Sequence, residues 1–195
     1  MLIRKMNIDS LSEADFSHWF YRMPEKKQAE VISCRKEIDK KRSVCGYMLA
    51  VKALSEFLRK DETDISIGYD ENGKPFSEGA YLSIAHTGNY AVCAVSDTPC
   101  GIDAETKDRK VSLKTALRVC TENELKYIFG ENFDGTIPEI KDDETVIRFI
   151  EIWTKKEAYG KMLGKGIIYD MKNTDVTYIE TKHDGELIIS AVGKR

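Results

Sequence analysis

The sequence predicts an α+β protein made of two halves of similar build, residues 1–100 and 101–195. Three observations carry this. A chain of 195 residues has the length of one large domain or two small ones. Each half holds one long helix, at 43–60 and at 146–163, whose apolar residues recur at three and four. Each of those helices is followed by a strand and a hairpin dipeptide, Asn72-Gly73 in the first half and Asp184-Gly185 in the second.

The elements follow in order. Residues 1–9 suit a short strand. Ser10, with Glu13 three residues later, reads as a helix start, and Phe16, Trp19 and Phe20 form its inward stripe. Pro24 suits the first turn of a second helix. Residues 25–42 then carry Lys26, Lys27, Arg35, Lys36, Lys40, Lys41 and Arg42 among few acids. Such a run is a solvated face or an edge that pairs with phosphate. The helix at 43–60 turns Val44, Tyr47, Met48, Val51, Leu54, Phe57 and Leu58 toward the core. Ile65 and Ile67 alternate with polar neighbours as in a strand, and Asn72-Gly73 turns the chain back. Residues 90–96 are a strong strand, followed by a turn at 97–101. Thr121 and Glu124 open another helix within 111–129. Residues 130–145, polar and holding Gly and Pro, read as a surface loop. Strands at 174–180 and 186–192 flank Asp184-Gly185.

Composition narrows the function classes. The net charge of −3 gives no bulk attraction to nucleic acid or to an anionic membrane. No apolar run approaches the ~20 residues of a membrane helix, and the N-terminus does not read as a signal peptide. Five cysteines without a Cys-x-x-Cys pair suit small buried hydrophobes in a reducing compartment, so a cytoplasmic location is expected.

Two stretches carry chemistry. In Gly101-Ile102-Asp103-Ala104-Glu105 the two acids lie two apart, on one side of an extended segment. In Trp153-Thr154-Lys155-Lys156-Glu157-Ala158-Tyr159-Gly160-Lys161, Glu157 and Lys161 share a helix face, with Lys156 about 100° round the helix from Glu157. Taken singly, the first is also the pattern of two exposed acids at a strand end, and the second that of a solvated Glu157–Lys161 ion pair. Together, Asp103, Glu105 and Glu157 could supply three hard oxygen ligands to Mg²⁺, leaving sites open for water and a substrate phosphate. His86 precedes the strand that leads to Asp103, and a lone histidine there is either structural or functional.

These stretches, with Asn72-Gly73-Lys74-Pro75 and Leu82-Ser83-Ile84-Ala85-His86-Thr87, resemble the 4′-phosphopantetheinyl transferases of the Sfp type. The resemblance covers about residues 24 to 170, with order and spacing kept. It implies a pseudo-dimer of two α+β halves with coenzyme A and Mg²⁺ in the cleft between them. The implied reaction moves the 4′-phosphopantetheine arm of coenzyme A onto a serine of an apo acyl or peptidyl carrier protein and releases 3′,5′-adenosine bisphosphate. It also implies roles: Asp103, Glu105 and Glu157 as metal ligands, Lys161 on the phosphates, and Glu157 or a water on the metal as general base. Lys74, His86 and Lys156 fall to coenzyme A binding, and Lys26, Arg42 and Ser43 to its 3′-phosphate, with Lys27 an alternative to Lys26. Ala85 stands where the family often has Ser, and Thr87 is the candidate to supply the missing hydrogen bond. Because both halves lie in one chain, a monomer is expected. A coenzyme A-binding module without transfer and a metal-dependent phosphohydrolase are the competing readings.

Overall fold

A computed structural model describes residues 1–137, 143–164 and 170–194. The first half is a three-stranded antiparallel sheet wrapped on a long helix. Strand β1 (Leu2–Asn7) and strand β4 (Tyr81–Thr87) flank β5 (Tyr90–Ser96), which is buried nearly throughout. Between them come α1 (Glu13–Arg22), α2 (Glu25–Ser33), α3 (Glu37–Leu58) and the two-residue strands β2 (Gly68–Tyr69) and β3 (Pro75–Phe76). Val44, Cys45, Met48, Val51 and Leu54 of α3 meet Ala91, Cys93 and Val95 of β5 in the core. Alternate residues of β5 point to the other face, where Val92 and Ala94 pack against the second half.

The second half repeats the plan. Strand β6 (Cys100–Thr106) pairs with β8 (Leu187–Gly193), which pairs with β7 (Thr181–Asp184), all antiparallel. Helix α6 (Asp143–Leu163) packs on this sheet, and α4 (Ala116–Val119) and α5 (Glu122–Phe129) join α6 in a cluster of Ala116, Ile128, Phe149 and Ile152. The two halves share a small-residue core: Ala85, Val92 and Ala94 against Cys100, Ile102, Ala104, Leu187 and Ile189. Across it, the Ile102 amide donates to Ser83 Oγ at 3.1 Å. The α+β plan of two similar halves thus stands as expected.

Several element bounds differ from the sequence reading. The first helix is capped by Ser12, whose Oγ accepts from the Asp15 amide, and not by Ser10. Buried Ile8 and Leu11 draw residues 8–10 into a 3-10 turn capped by Asn7 before the helix can start. Helix α3 begins at Glu37, six residues early, its added turns braced by Lys40–Glu37 and Arg42–Asp39 ion pairs. Ile65 and Ile67 are buried but lie outside any strand. The dipeptide at 72–73 does turn the chain: Asp70 Oδ1 accepts from the Asn72 and Lys74 amides, and Gly73 takes φ 78°. In the last hairpin Asp184 pairs with Leu187, so the two turn residues are Gly185 and Glu186, and residues 174–180 form no strand. The capping box of Thr121 and Glu124 is present. Part of the expected 130–145 loop, residues 138–142, lies outside the described residues, and α6 begins at Asp143, inside that expected loop. All five cysteines are thiols, four of them buried. Among the described residues no helix is long and apolar enough to cross a membrane.

Candidate active site

The site begins with a residue that has no side chain. A Cβ on Gly101 would stand 1.9 Å from Ala158 O and 2.6 Å from Met162 N. Helix α6 therefore lies directly on β6, and only glycine permits that approach. Two residues along β6, Asp103 faces the same helix. Lys161 Nζ donates to Asp103 Oδ1 at 2.7 Å, so Lys161 pairs across elements with Asp103, where the helix alone had suggested Glu157. Asp103 is 7% exposed. Burial raises its pKa, and the Lys161 charge only partly opposes that. Glu157 is also raised, first by burial and then by the negative charge of Asp103. Among the described residues, Asp103 Oδ2 and Glu157 Oε1 are buried without a hydrogen-bond partner. Two orphaned carboxylate oxygens, on side chains near enough for the Asp103 charge to act on Glu157, fit a hard cation, because neither oxygen has another partner to offset its desolvation.

Glu105 stands apart in chemistry. Its Oε2 accepts from Thr87 Oγ1 at 2.8 Å, and its Oε1 bonds Arg109 Nη1. As arranged, no three His, Cys, Asp or Glu side chains among the described residues converge into a metal-binding group. The acids that fit a cation now are Asp103 and Glu157, with Glu105 held by its own partners.

The wall from the first half is built around a second close approach. His86 of β4 sits over Gly46 of α3, where a Cβ would come 2.5 Å from His86 Nε2. Beside it lies a cavity of about 180 Å³ whose lining includes Lys27, Ser43, Tyr69, Gly73 and His86. Although part of the His86 side chain is exposed, desolvation of the ring among its packed neighbours, then the charges of Lys161 and Arg42, push its pKa down to about 4. The imidazole is therefore neutral at physiological pH and offers a lone pair.

The remaining expected residues are distributed unevenly. Ser43 lines the cavity, and Lys27 does so where Lys26 does not. Lys26 is exposed, because one step along α2 turns it about 100° to solvent. Lys27 packs 4.4 Å over the Tyr69 ring and pairs with Glu30. Arg42 spends its donors within the protein: Nε and Nη2 donate to Gly88 O at 2.8 and 2.6 Å, and Nη1 to Asp39. Lys74 reaches across the seam and donates to Met162 O in the last turn of α6, at 3.0 Å. Lys156 is the clear departure. It is wholly buried, with Nζ 2.8 Å from Glu124 Oε2 and donating to Met171 O and Thr174 O at 2.6 and 2.7 Å. Its direction on α6, a quarter turn from Glu157, aims it at α5 and the 170–176 segment instead of the seam. Sequence reasoning passed over Arg109 and Gly46. The four-residue offset of Arg109 from Glu105 was a usable signal for the first; nothing in the sequence marks the second.

Two family models meet end to end on the chain: "4′-phosphopantetheinyl transferase, N-terminal" matches residues 10–98, and "4′-phosphopantetheinyl transferase superfamily" matches residues 99–194. The chain belongs to the 4′-phosphopantetheinyl transferase family. This family member is 28% identical over 172 residues to the 4′-phosphopantetheinyl transferase Sfp of Bacillus subtilis, a match covering 85% of this chain and 69% of the relative. It is 34% identical over 130 residues to the transferase gsp of Aneurinibacillus migulanus, covering 66% and 51%. It is 30% identical over 135 residues to the transferase HetI of a Nostoc species, covering 66% and 54%. The chain thus spans between about half and two thirds of the length of the curated relatives it matches. The two models divide in the 97–99 turn between β5 and β6.

Proposed function

We propose that this chain transfers the 4′-phosphopantetheine arm of coenzyme A to a serine of an apo carrier protein, with Mg²⁺. The supporting observation is the pair of orphaned carboxylate oxygens on Asp103 and Glu157, beside Lys161 at the seam. In the reaction the serine Oγ forms a bond to the β-phosphorus, the pyrophosphate P–O bond breaks, and 3′,5′-adenosine bisphosphate leaves. Asp103 and Glu157 would hold Mg²⁺, with Glu105 completing the set. Bound there, the ion would neutralise charge on the pyrophosphate oxygens.

The chain's own groups do the rest. Lys161 sets a fixed positive charge where negative charge grows on the phosphoryl oxygens. Glu157, on the same helix face as Lys161, is the candidate acceptor of the serine proton. The cavity beside His86, walled by Lys27 and Ser43, suits the 3′-phosphate end of coenzyme A. Lys74, bonded to Met162 O in the last turn of α6, ties the first half to the helix that carries Glu157 and Lys161. One chain supplies both walls, which supports a monomer, and five thiols without a disulfide support a reducing compartment such as the cytoplasm.

The test is intact-mass analysis of a panel of apo acyl and peptidyl carrier proteins incubated with the enzyme, coenzyme A and MgCl₂. At least one carrier gains the phosphopantetheine mass, and chelation abolishes the gain. Coenzyme A binding by calorimetry with every carrier unmodified would instead make this a binding module.

A further inference from the structure

Arg109 has no place in the reaction described above, yet it lies at the centre of the site's charge balance. It sits in the turn that follows β6, where its amide donates to Thr106 O at 3.1 Å. Its guanidinium bonds the Oε1 of Glu105, whose side chain is 15% exposed against 40% for Arg109. The same guanidinium lies 5.8 Å from the centre of the Trp153 ring on α6. Its charge also reaches Asp103 and Glu157, lowering both pKa values against the larger effect of burial.

The three carboxylates are therefore treated differently. Asp103 gives one oxygen to Lys161 and keeps one bare. Glu157 keeps one bare. Glu105 has both oxygens engaged, one by Thr87 from the first half and one by Arg109. An arginine cannot vacate a carboxylate by losing its proton. It has to move, and an exposed side chain rooted in a turn can do so without disturbing the sheet. With three ionised acids, Lys161 and Arg109, the cluster carries one formal negative charge. A divalent cation entering while Arg109 departs brings it to neutrality, whereas one entering beside Arg109 leaves a surplus positive charge in a half-buried site.

We propose that Arg109 is a resident counter-cation that covers Glu105 while the site lacks metal and is displaced when a divalent cation enters, its guanidinium then resting over the Trp153 ring. A planar cation stacks well on an indole face, and that ring is already its neighbour. The inference rests on the Mg²⁺ reading given under Proposed function. It makes Arg109 a residue that opposes metal binding and sets the Mg²⁺ concentration at which Glu105 becomes available.

The experiment is calorimetric titration of the full chain with MgCl₂, with and without coenzyme A and without carrier. Arg109→Gln binds Mg²⁺ about threefold or more tightly than the parent chain, because one competing charge is gone. Arg109→Lys falls between them, since a lysine covers the carboxylate less well. Tryptophan emission is read in parallel: it shifts on adding MgCl₂ to the parent chain and stays still in Arg109→Gln, while Trp19, buried in the core of the first half, is a constant background. Equal or weaker Mg²⁺ binding by Arg109→Gln overturns the proposal and leaves the Mg²⁺ reading standing. Mg²⁺ binding by neither chain, in either condition, overturns both. Should Arg109→Gln fail to fold by circular dichroism, Arg109→Lys decides alone: tighter binding than the parent supports displacement, and equal or weaker binding removes it.

Discussion

A neutral imidazole at the cleft gives His86 a pH signature. The ordinary value is 6.5 and the folded value is about 4, so between them the unfolded chain binds more protons than the folded one. Stability then falls as pH drops from about 6.5 toward 4. His86→Asn should flatten the dependence of Tm on pH across that window in calorimetry. A curve parallel to the parent's would remove the imidazole from this role. For Glu157→Gln we expect a loss of transfer of about 100-fold or more, with an unchanged circular dichroism spectrum. Near-normal turnover would exclude Glu157 as base and as metal ligand. At this scale the sequence was readable where spacing along one element decides, as for Asp103 with Glu105 on β6. It was opaque where two elements meet. The partner of Lys161 is Asp103 because α6 lies against β6, and no helical periodicity contains that fact. The quarter-turn offset between Lys156 and Glu157 could be drawn on a helical wheel, but what each one faces could not.

The contact between α6 and β6 depends on one missing methyl group. Gly101→Ala would drive a carbon into the Ala158 carbonyl, and backbone cannot yield as a flexible side chain does. We expect a destabilisation of about 3 kcal/mol, or roughly 6–12 °C in Tm, and loss of transfer as Asp103 moves off Lys161. A melt within a degree of the parent would show that the helix can shift without penalty. The buried Glu124–Lys156 pair secures the other side of α6. Glu124 also accepts the Val176 amide at 3.0 Å and the Thr121 amide at 2.8 Å, so one carboxylate joins α5, α6 and the approach to β7. Glu124→Leu leaves an ammonium stranded in the core and should lower stability by about 3–5 kcal/mol, while adding Lys156→Met recovers part of it. Denaturant unfolding of the single and double variants measures this, and additive effects would deny the coupling. The capping box was visible in the sequence because its residues are three apart. The longer reach of Glu124 was not, since Lys156 is over thirty residues away. Likewise the hairpin dipeptide Asp184-Gly185 suggested a strand at 174–180, but tertiary bonds to Glu124 and Lys156 hold that stretch in place of a sheet partner.

The whole molecule is a fusion of two similar plans, legible because each half repeats helix, turn and strand. How the plans join was not legible. The seam is made by Ala85, Ala94, Cys100 and Ala104, residues whose importance lies in how closely they let two sheets approach. Each half leaves this surface uncovered when alone. A fragment of residues 1–98 should therefore lose cooperative unfolding and dispersed amide resonances that the full chain displays. A sharp melt from the fragment would mean that the halves are independent. The interior lysine of α6 has one more consequence. Lys156 shows no surface at all, so an amine-acylating reagent that decorates its helix neighbours has no route to it in the native protein. Mass-mapped labelling of that single amine over time would then clock how often the molecule opens, with the protein carrying its own probe.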